Sequence, residues 1–171
     1  MNMVKGEKCM NIDQAAMLET ANQEKELQFT GFTNEDAWEI GTLMMEAAKA
    51  RSLAITIDIC RSNQQLFHYA MPGTIVDNDE WIKRKNRVVG RFFHSSFYMG
   101  CHFRNLNTTI EKNSLLPESE FAPHGGAFPL TISGVGVVGT FTVSGLPQKE
   151  DHDFVVGILR QYFANRSSGT A

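Results

Sequence analysis

Four cationic or titratable side chains recur along one stretch of the chain at helical spacing. Arg84, Arg87, Arg91 and His94 follow one another at intervals of three, four and three residues. A helix would project all four from one side, and guanidinium groups grouped in this way grip carboxylate or phosphate oxygens in bidentate fashion. The alternative is a solvated helix face, or one that pairs with acidic residues of another helix or subunit, and the spacing alone leaves both open.

The second candidate for chemistry is a glycine-containing turn around one histidine. In Pro123-His124-Gly125-Gly126 the two adjacent glycines allow the backbone to approach a ligand closely and offer amide donors beside an imidazole. The ring of His124 can bind a metal ion or haem iron, donate to an anion or transfer a proton, and His94 is a second candidate for the metal. A turn whose glycines only supply positive φ is the alternative, and we favour the site.

Other chemistry-bearing motifs are missing from the sequence. It contains no HExxH or CxxC pattern that would hold a metal, and no Walker or GxGxxG loop that would hold a nucleotide. Ser144 lacks the flanking glycines of a nucleophile elbow, and the apolar neighbourhoods of Cys60 and Cys101 favour raised thiol pKa values. Three further histidines are interpreted as structural: His68, His102 and His152.

The elements that would position these residues alternate between helices and strand pairs. Apolar spacing predicts helices over residues 33–51, from Asp77 to about His102, and after Pro147, the first of them capped by Thr33 and Asp36. Alternation and turn residues predict two hairpins, with strands at 53–60, 64–71, 127–133 and 135–144. Short links between paired strands imply an antiparallel sheet. The fold class is therefore α/β of the α+β type, a sheet flanked by helices, with the long helix packed apart from the others.

Composition bounds the remaining classes of function. A length of 171 residues suits one domain, and 16 basic against 19 acidic side chains give a net charge of −3, which would not attract nucleic acid or anionic lipid. No run approaches the ~18 apolar residues that span a bilayer, and no signal-peptide core is present. Three cysteines without a CxxC pair fit a reducing compartment. We expect a cytoplasmic protein with no membrane insertion, organised as an N-terminal extension (1–27), one domain (28–165) and a frayed tail (166–171).

Several strings in series resemble the uncharacterised protein family 0303, whose members are often labelled haem-degrading domain proteins. The resemblance runs from about Gln28 to Phe163 and includes FTNEDAWEIG, DICRSNQQLFHYAMPGT, DNDEWIKRKNRVVGRFFHSS, EFAPHGGAFPL and GVGVVGTFTVSGLPQKEDH. That family is similar to the wider GlcG-like group, which includes HbpS-like haem-binding proteins. The resemblance implies a profilin-like fold, a homo-oligomer, haem as a candidate cofactor, and a site where the long helix meets the PHGG turn.

Three hypotheses for function follow from the residues and the resemblance. The first is a protein that binds haem or a small carboxylated ligand, with the arginines on carboxylates and His124 or His94 near a metal. The second is a homo-oligomeric scaffold without catalysis, in which an aromatic stripe forms subunit contacts. The third is an enzyme acting on a small organic acid, with His124 as acid or base and the arginines as a clamp. The aromatic stripe consists of Trp81, Phe92, Phe93 and Phe97.

Overall fold

The computed structural model describes residues 11–168 and contains one four-stranded sheet. Its strand order is β2-β1-β4-β3, and every neighbouring pair is antiparallel. The predicted antiparallel sheet flanked by helices is thereby confirmed. The elements are α1 (Ile12–Glu26), α2 (Asn34–Ala50), β1 (Thr56–Arg61), β2 (Gln64–Ala70), α3 (Val76–Phe92), α4 (Ser96–Asn105), α5 (Ile110–Ser114), β3 (Ala127–Ile132), β4 (Gly136–Ser144) and α6 (Gln148–Ser168).

Local signals that the sequence carries are realised in the structure. The Thr33 side chain accepts a hydrogen bond from the Asp36 amide while the Asp36 carboxylate accepts from the Thr33 amide, so the predicted capping box begins α2. Ser62 and Asn63 join β1 to β2 with φ values of 50° and 63°. Two consecutive positive φ values match the right-handed twist of the flanking strands, which is why this short turn closes the hairpin.

One face of the sheet is apolar and supports the main core. Helices α2 and α6 pack on this face and on each other. Alternate strand residues such as Ile57, Ile59 and Phe141 point into this layer and are fully buried. Burying each large side chain of this kind contributes roughly 1.5–3 kcal/mol, so this layer provides most of the stability of the fold.

The opposite face of the sheet is polar and is covered by α3. The strand register places Thr56 beside Ser144, and Asp58 beside Thr142, on this face, and all four residues are buried. Asn86 of α3 bridges the two central strands, because its amide nitrogen donates to the Asp58 carboxylate while its amide oxygen accepts from the Thr142 hydroxyl. Hydrogen bonds to the sheet therefore help to set the position of α3, together with its buried residues Ile82, Val88 and Val89.

The long helix predicted from Asp77 to about His102 is in fact two helices. Helix α3 ends at Phe92, Phe93 takes a left-handed conformation with φ of 58°, and α4 begins at Ser96. The Ser95 hydroxyl caps the new helix by accepting from the Tyr98 amide. The carboxylate of Glu24 on α1 accepts hydrogen bonds from the Ser95 amide and from His94, which holds the break open.

The two ends of the described chain are helical. Residues 12–26 of the predicted N-terminal extension form α1, which packs on α4. In the region predicted as a frayed tail, helix α6 continues through Ser168, and Arg166 forms an ion pair with Asp36 of α2. Residues 1–10 and 169–171 lie outside the described part of the chain. No helix within residues 11–168 is long and apolar enough to cross a membrane.

Candidate functional site

A cleft of about 380 Å³ opens where the N-termini of two helices meet the end of the central strand. We call it the first cleft. It lies between the start of α3, the turn at His124 and Gly125, the segment after β4 and the start of α6. Because the positive ends of two helix dipoles converge here, the backbone favours a negatively charged group in this cleft.

The floor of the first cleft is a buried ion pair. The Lys85 ammonium of α3 lies 2.8 Å from an Asp151 carboxylate oxygen of α6 and also donates to the Val143 carbonyl at 3.1 Å. Both side chains are at most 4% exposed. Burial lowers the pKa of Lys85 and raises that of Asp151, and the partner's charge opposes each shift. The second Asp151 oxygen accepts from the Leu146 amide, which ties the floor to the loop before α6.

The rim of the cleft carries an indole, an imidazole and a guanidinium. The Trp81 and His124 rings meet edge to face with centroids 5.4 Å apart, and the Arg84 guanidinium stacks over Trp81 at 4.1 Å. Part of the His124 ring is solvent-exposed, while partial burial and the Lys85 charge lower its pKa. Both effects favour the neutral imidazole, which can donate to an anion or offer a lone pair to a metal.

The glycines of the turn are required by close packing. A Cβ on Gly125 would lie 1.8 Å from the Gln148 carbonyl oxygen. Gly126 has φ of 132°, and a Cβ there would lie 2.6 Å from the Lys85 ammonium nitrogen. Both positions exclude any side chain, so the His124 turn can reach the start of α6 and the buried ion pair only with glycine at these two positions.

The predicted convergence of seven residues is met by four of them. His124 and Gly125 line the first cleft, Arg84 stacks on Trp81 of its wall, and Gly126 lies against Lys85 of its floor. The remaining three point elsewhere: Arg87 lines a different cleft, Arg91 is exposed, and His94 forms an ion pair with Glu24. These residues lie apart for two reasons. Successive arginines of α3 point in different directions around the helix axis, and the helix ends before His94. His94 therefore contacts Glu24 and does not line the first cleft.

The aromatic stripe does not form one exposed surface. Phe97 is buried, Phe92 packs edge to face on Phe103 in a small second core, and Trp81 belongs to the rim of the first cleft. Phe93 is exposed because the left-handed residue turns its ring outward. The stripe is split by the helix break, and a subunit contact through these rings stays a prediction.

The donor set at the first cleft fits haem in one respect. Haem iron needs only one or two axial ligands, and the neutral, partly exposed imidazole of His124 beside the Trp81 ring has the required chemistry. Over residues 11–168, no group of three or more His, Cys, Asp or Glu side chains is arranged to hold a free metal ion. Both cysteines in that range have raised thiol pKa values through burial, as the sequence predicts.

Sequence reasoning missed the ion pair that forms the floor. Lys85 lies in a helix dense with basic residues, and Asp151 lies in the first turn of α6, where acidic residues commonly serve the helix dipole. Both therefore resemble surface residues. The available signal was the helical period, because Lys85 falls between Ile82 and Val88 on the buried side of α3.

The architecture defines the class of protein: an α+β domain in which helices cover both faces of a four-stranded antiparallel sheet. Residues 32–160 match the family model described as "Haem degrading protein HbpS-like". A UPF0303 protein of Streptomyces coelicolor is 51% identical over 144 residues, 84% of this chain and 91% of that protein. The chain therefore belongs to the HbpS-like haem-degrading domain family, in its UPF0303 group.

Two solved structures are similar in fold. The crystal structure of the Ybr137w protein is 35% identical and superposes with a TM-score of 0.78, over 84% of this chain and 85% of that one. The structure of a PduOC complex with haem is 13% identical with a TM-score of 0.63, over 76% of this chain and 94% of that one. At that lower identity the second likeness shows the fold alone.

Proposed function

We propose that the first cleft binds a small ligand that carries a carboxylate or a similar anionic group. The observation that carries the proposal is the convergence of two helix N-termini with the His124 imidazole on one opening of about 380 Å³, whose Trp81 wall also carries the stacked Arg84 guanidinium. Ligand pockets of this kind usually enclose about 300–1,000 Å³, so the size suits a small metabolite.

Asp77 at the rim limits how strongly an anion is held. Its carboxylate accepts a hydrogen bond from the Trp81 indole and lies 3.9 Å from an Arg84 nitrogen. A ligand carboxylate would compete with Asp77 for Arg84. Because Asp77 is exposed, it can move away from Arg84 at little cost, and the guanidinium then becomes a bidentate donor for the ligand.

Isothermal titration calorimetry with acetate, succinate, malate and citrate tests the proposal. At least one acid should bind saturably at neutral pH. Arg84→Ala should weaken it about tenfold or more, since hydrogen bonds to charged groups contribute about 1.5–3 kcal/mol. Asp77→Asn should strengthen binding by removing the competing carboxylate. Arg91→Ala is the matched control and should change nothing. Equal affinity in all four proteins would reject the site.

Haem is the second candidate ligand, and His124 is the residue that favours it. The family description names haem degradation, and the related PduOC protein has been crystallised with haem. His124 would hold the iron through a ring nitrogen, Trp81 would provide an apolar wall, and Arg84 would be a partner for a carboxylate of the haem. Bound haem would supply an iron centre. The cleft encloses only part of a molecule of that size, so a bound haem would extend beyond the rim.

A haem titration with paired histidine variants separates this candidate from the first. If His124 is the ligand, His124→Ala should abolish the shift of the Soret band, whereas His94→Ala should retain it, because His94 is held by Glu24 on the other side of the helix break. A Soret shift that survives in the His124 variant would eliminate axial ligation by this residue. Carboxylate binding without any haem signal would leave the first candidate alone.

The homo-oligomer implied by the family resemblance is also part of the proposal. Strand β2 is an edge of the sheet, and its seven residues, QQLFHYA, contain neither the lysine nor the proline that commonly protects such edges. The exposed Trp38 ring packs on Phe67 beside this edge. Static light scattering at micromolar concentration should give a multiple of the 19.1 kDa chain mass. A monomer would refute this part of the proposal and the scaffold hypothesis with it.

A further inference from the structure

A second cleft of about 560 Å³ lies at the other end of α3 and shares no lining residue with the first. Its walls are the C-terminal half of α3, the start of β4 and the turn between β1 and β2. This cleft has four features that the stability of the fold does not explain: a cation, a helical glycine, an aromatic residue in the left-handed conformation and a hydroxyl without a hydrogen-bond partner in the described chain. We call it the second cleft.

The cation is Arg87. Its guanidinium donates to the Glu120 carbonyl at 3.1 Å but has no carboxylate partner among residues 11–168. Arg87 lines the second cleft, and its guanidinium makes no other hydrogen bond within residues 11–168. The neighbouring Lys83 forms an ion pair with Glu80. The buried carboxylate of Asp58 accepts hydrogen bonds from Asn86, Gln65 and the Cys60 thiol. Arg87 is therefore the group that can attract an anion.

Gly90 lies within α3 without a packing reason. A Cβ built there would meet no atom within 4 Å, so alanine or a larger residue would fit and would favour the helix. Glycine keeps this wall of the cleft open. Thr140 on the facing strand is 5% exposed, and its hydroxyl oxygen, which is buried, has no hydrogen-bond partner within the described chain.

Phe93 closes α3 in the left-handed region, with φ of 58°, where a bulky residue is an outlier. Its ring is 62% exposed at the rim of the second cleft. An aromatic side chain and a guanidinium without a carboxylate partner, lining one cleft, suit a flat ring that carries a negative charge, since the ring can stack while the anion accepts from Arg87.

We propose that the second cleft binds a small planar ring bearing one anionic group, with the anion on Arg87 and the ring against Phe93. Aromatic carboxylates and aryl phosphate esters share this chemistry. Gly90 leaves room for the ring along α3, and Val137 and Val138 of β4 provide apolar surface on the opposite wall. The site is separate from the cleft that contains His124, and its occupancy does not depend on that cleft.

The test is a titration of the full chain with phenyl phosphate and with benzoate, followed by amide NMR shifts. At least one probe should shift the amide resonances of Gly90, Phe93 and Gly139 in a saturable manner. Which of the two probes binds shows whether the site prefers a phosphate or a carboxylate. Cyclohexyl phosphate and inorganic phosphate should each bind at least about tenfold more weakly than phenyl phosphate, or more weakly than benzoate if only benzoate binds, because neither offers a flat ring to Phe93.

Variants separate binding from folding. Arg87→Ala should lower the affinity about tenfold or more, while Arg91→Ala and His124→Ala should leave it within twofold. Gly90→Leu should lower the affinity and yet raise or preserve the unfolding temperature, since the added side chain enters open space on a helix. Three outcomes would each overturn the proposal. They are normal binding by the Arg87 variant, chemical-shift changes confined to Trp81 and His124, and binding of inorganic phosphate as tight as that of phenyl phosphate.

Discussion

At the scale of single residues, the Lys85 and Asp151 pair carries the largest energetic consequence. Two opposite charges buried between α3 and α6 lose their hydration, and only their mutual contact and their added hydrogen bonds offset that loss. Removing one partner leaves the other charge without compensation. The pair also fixes the floor of the first cleft, so its removal would disturb ligand binding as well as folding.

We predict that Lys85→Met lowers the free energy of unfolding by about 3–5 kcal/mol, because Asp151 then remains buried without its cation. The double variant Lys85→Met, Asp151→Asn should recover most of that loss, since an amide oxygen still accepts from Leu146. Urea denaturation measures both. Lys149→Ala is the control: its pair with Asp153 is exposed, so it should change stability by less than about 1 kcal/mol. A single variant as stable as its control would contradict the argument.

At the scale of elements, two consecutive residues of α1 bind buried or half-buried groups of other helices, in addition to the ion pairs of Asp13 with Arg104 and of Glu26 with Arg160 nearer its ends. Gln23 accepts from His152 of α6 at 2.8 Å, and Glu24 accepts from His94 and the Ser95 amide in the break between α3 and α4. The hydrogen bond from Glu24 raises the pKa of His94. Helix α1 therefore stabilises the break, and in turn depends on it for its own position.

Glu24→Ala should loosen α1 without unfolding the sheet. The variant removes both acceptors at the break, so backbone amides of residues 12–26 should exchange with deuterium faster, while amides of β1 and β4 should keep their protection. Lys25→Ala, an exposed neighbour on the same helix, should leave exchange unchanged. If the amides of α1 exchanged at the same rate in both variants, the attachment would have to lie elsewhere on the helix.

At the scale of the whole molecule, stability should depend on pH through His152. Burial lowers its pKa from 6.5 to about 4. The ring nitrogen Nε2 faces Gln23, and Nδ1 is buried without a partner, so a proton added there would find no acceptor within the described chain. The unfolded chain binds more protons than the folded one between these two pKa values, and the free energy of unfolding must fall as pH falls through this window.

We predict that this fall amounts to about 3 kcal/mol between pH 7 and pH 4 and is absent from His152→Gln. His94 acts in the opposite sense: its raised pKa contributes stability that is present below 6.5 and is lost as pH rises through the folded value. Urea denaturation of both proteins at several pH values isolates His152 as the difference between the two curves. Parallel curves would show that this ring does not control the response.

The sequence predicts most of the fold because its strongest signals are local. The Thr33 capping box, the Ser62-Asn63 turn and the alternation in β1 each depend on a few neighbouring residues. The break after Phe92 could not be predicted in the same way, since the apolar spacing continues across it and the carboxylate that holds it comes from Glu24, about seventy residues earlier in the chain.

The candidate site was predicted in part for a related reason. Arg84, His124 and the two glycines could be grouped from spacing and turn chemistry, and the structure places them together. Arg87 shares the spacing but faces the second cleft, because three or four residues of helix rotate a side chain by tens of degrees. The direction in which each side chain of a helix points depends on the surface that the helix covers. Helix α3 covers a polar face of the sheet, which the sequence pattern does not predict.

The polar layer beneath α3 has a consequence for how substitutions combine. On the apolar side of the sheet, truncations at separated sites should add. On the other side, Asn86 binds Asp58 and Thr142 at once, so losing Asn86 removes a hydrogen bond from both, and a further change at Thr142 should then cost less than it would alone. The effects of substitutions on stability should therefore be additive on one side of the sheet and non-additive on the other.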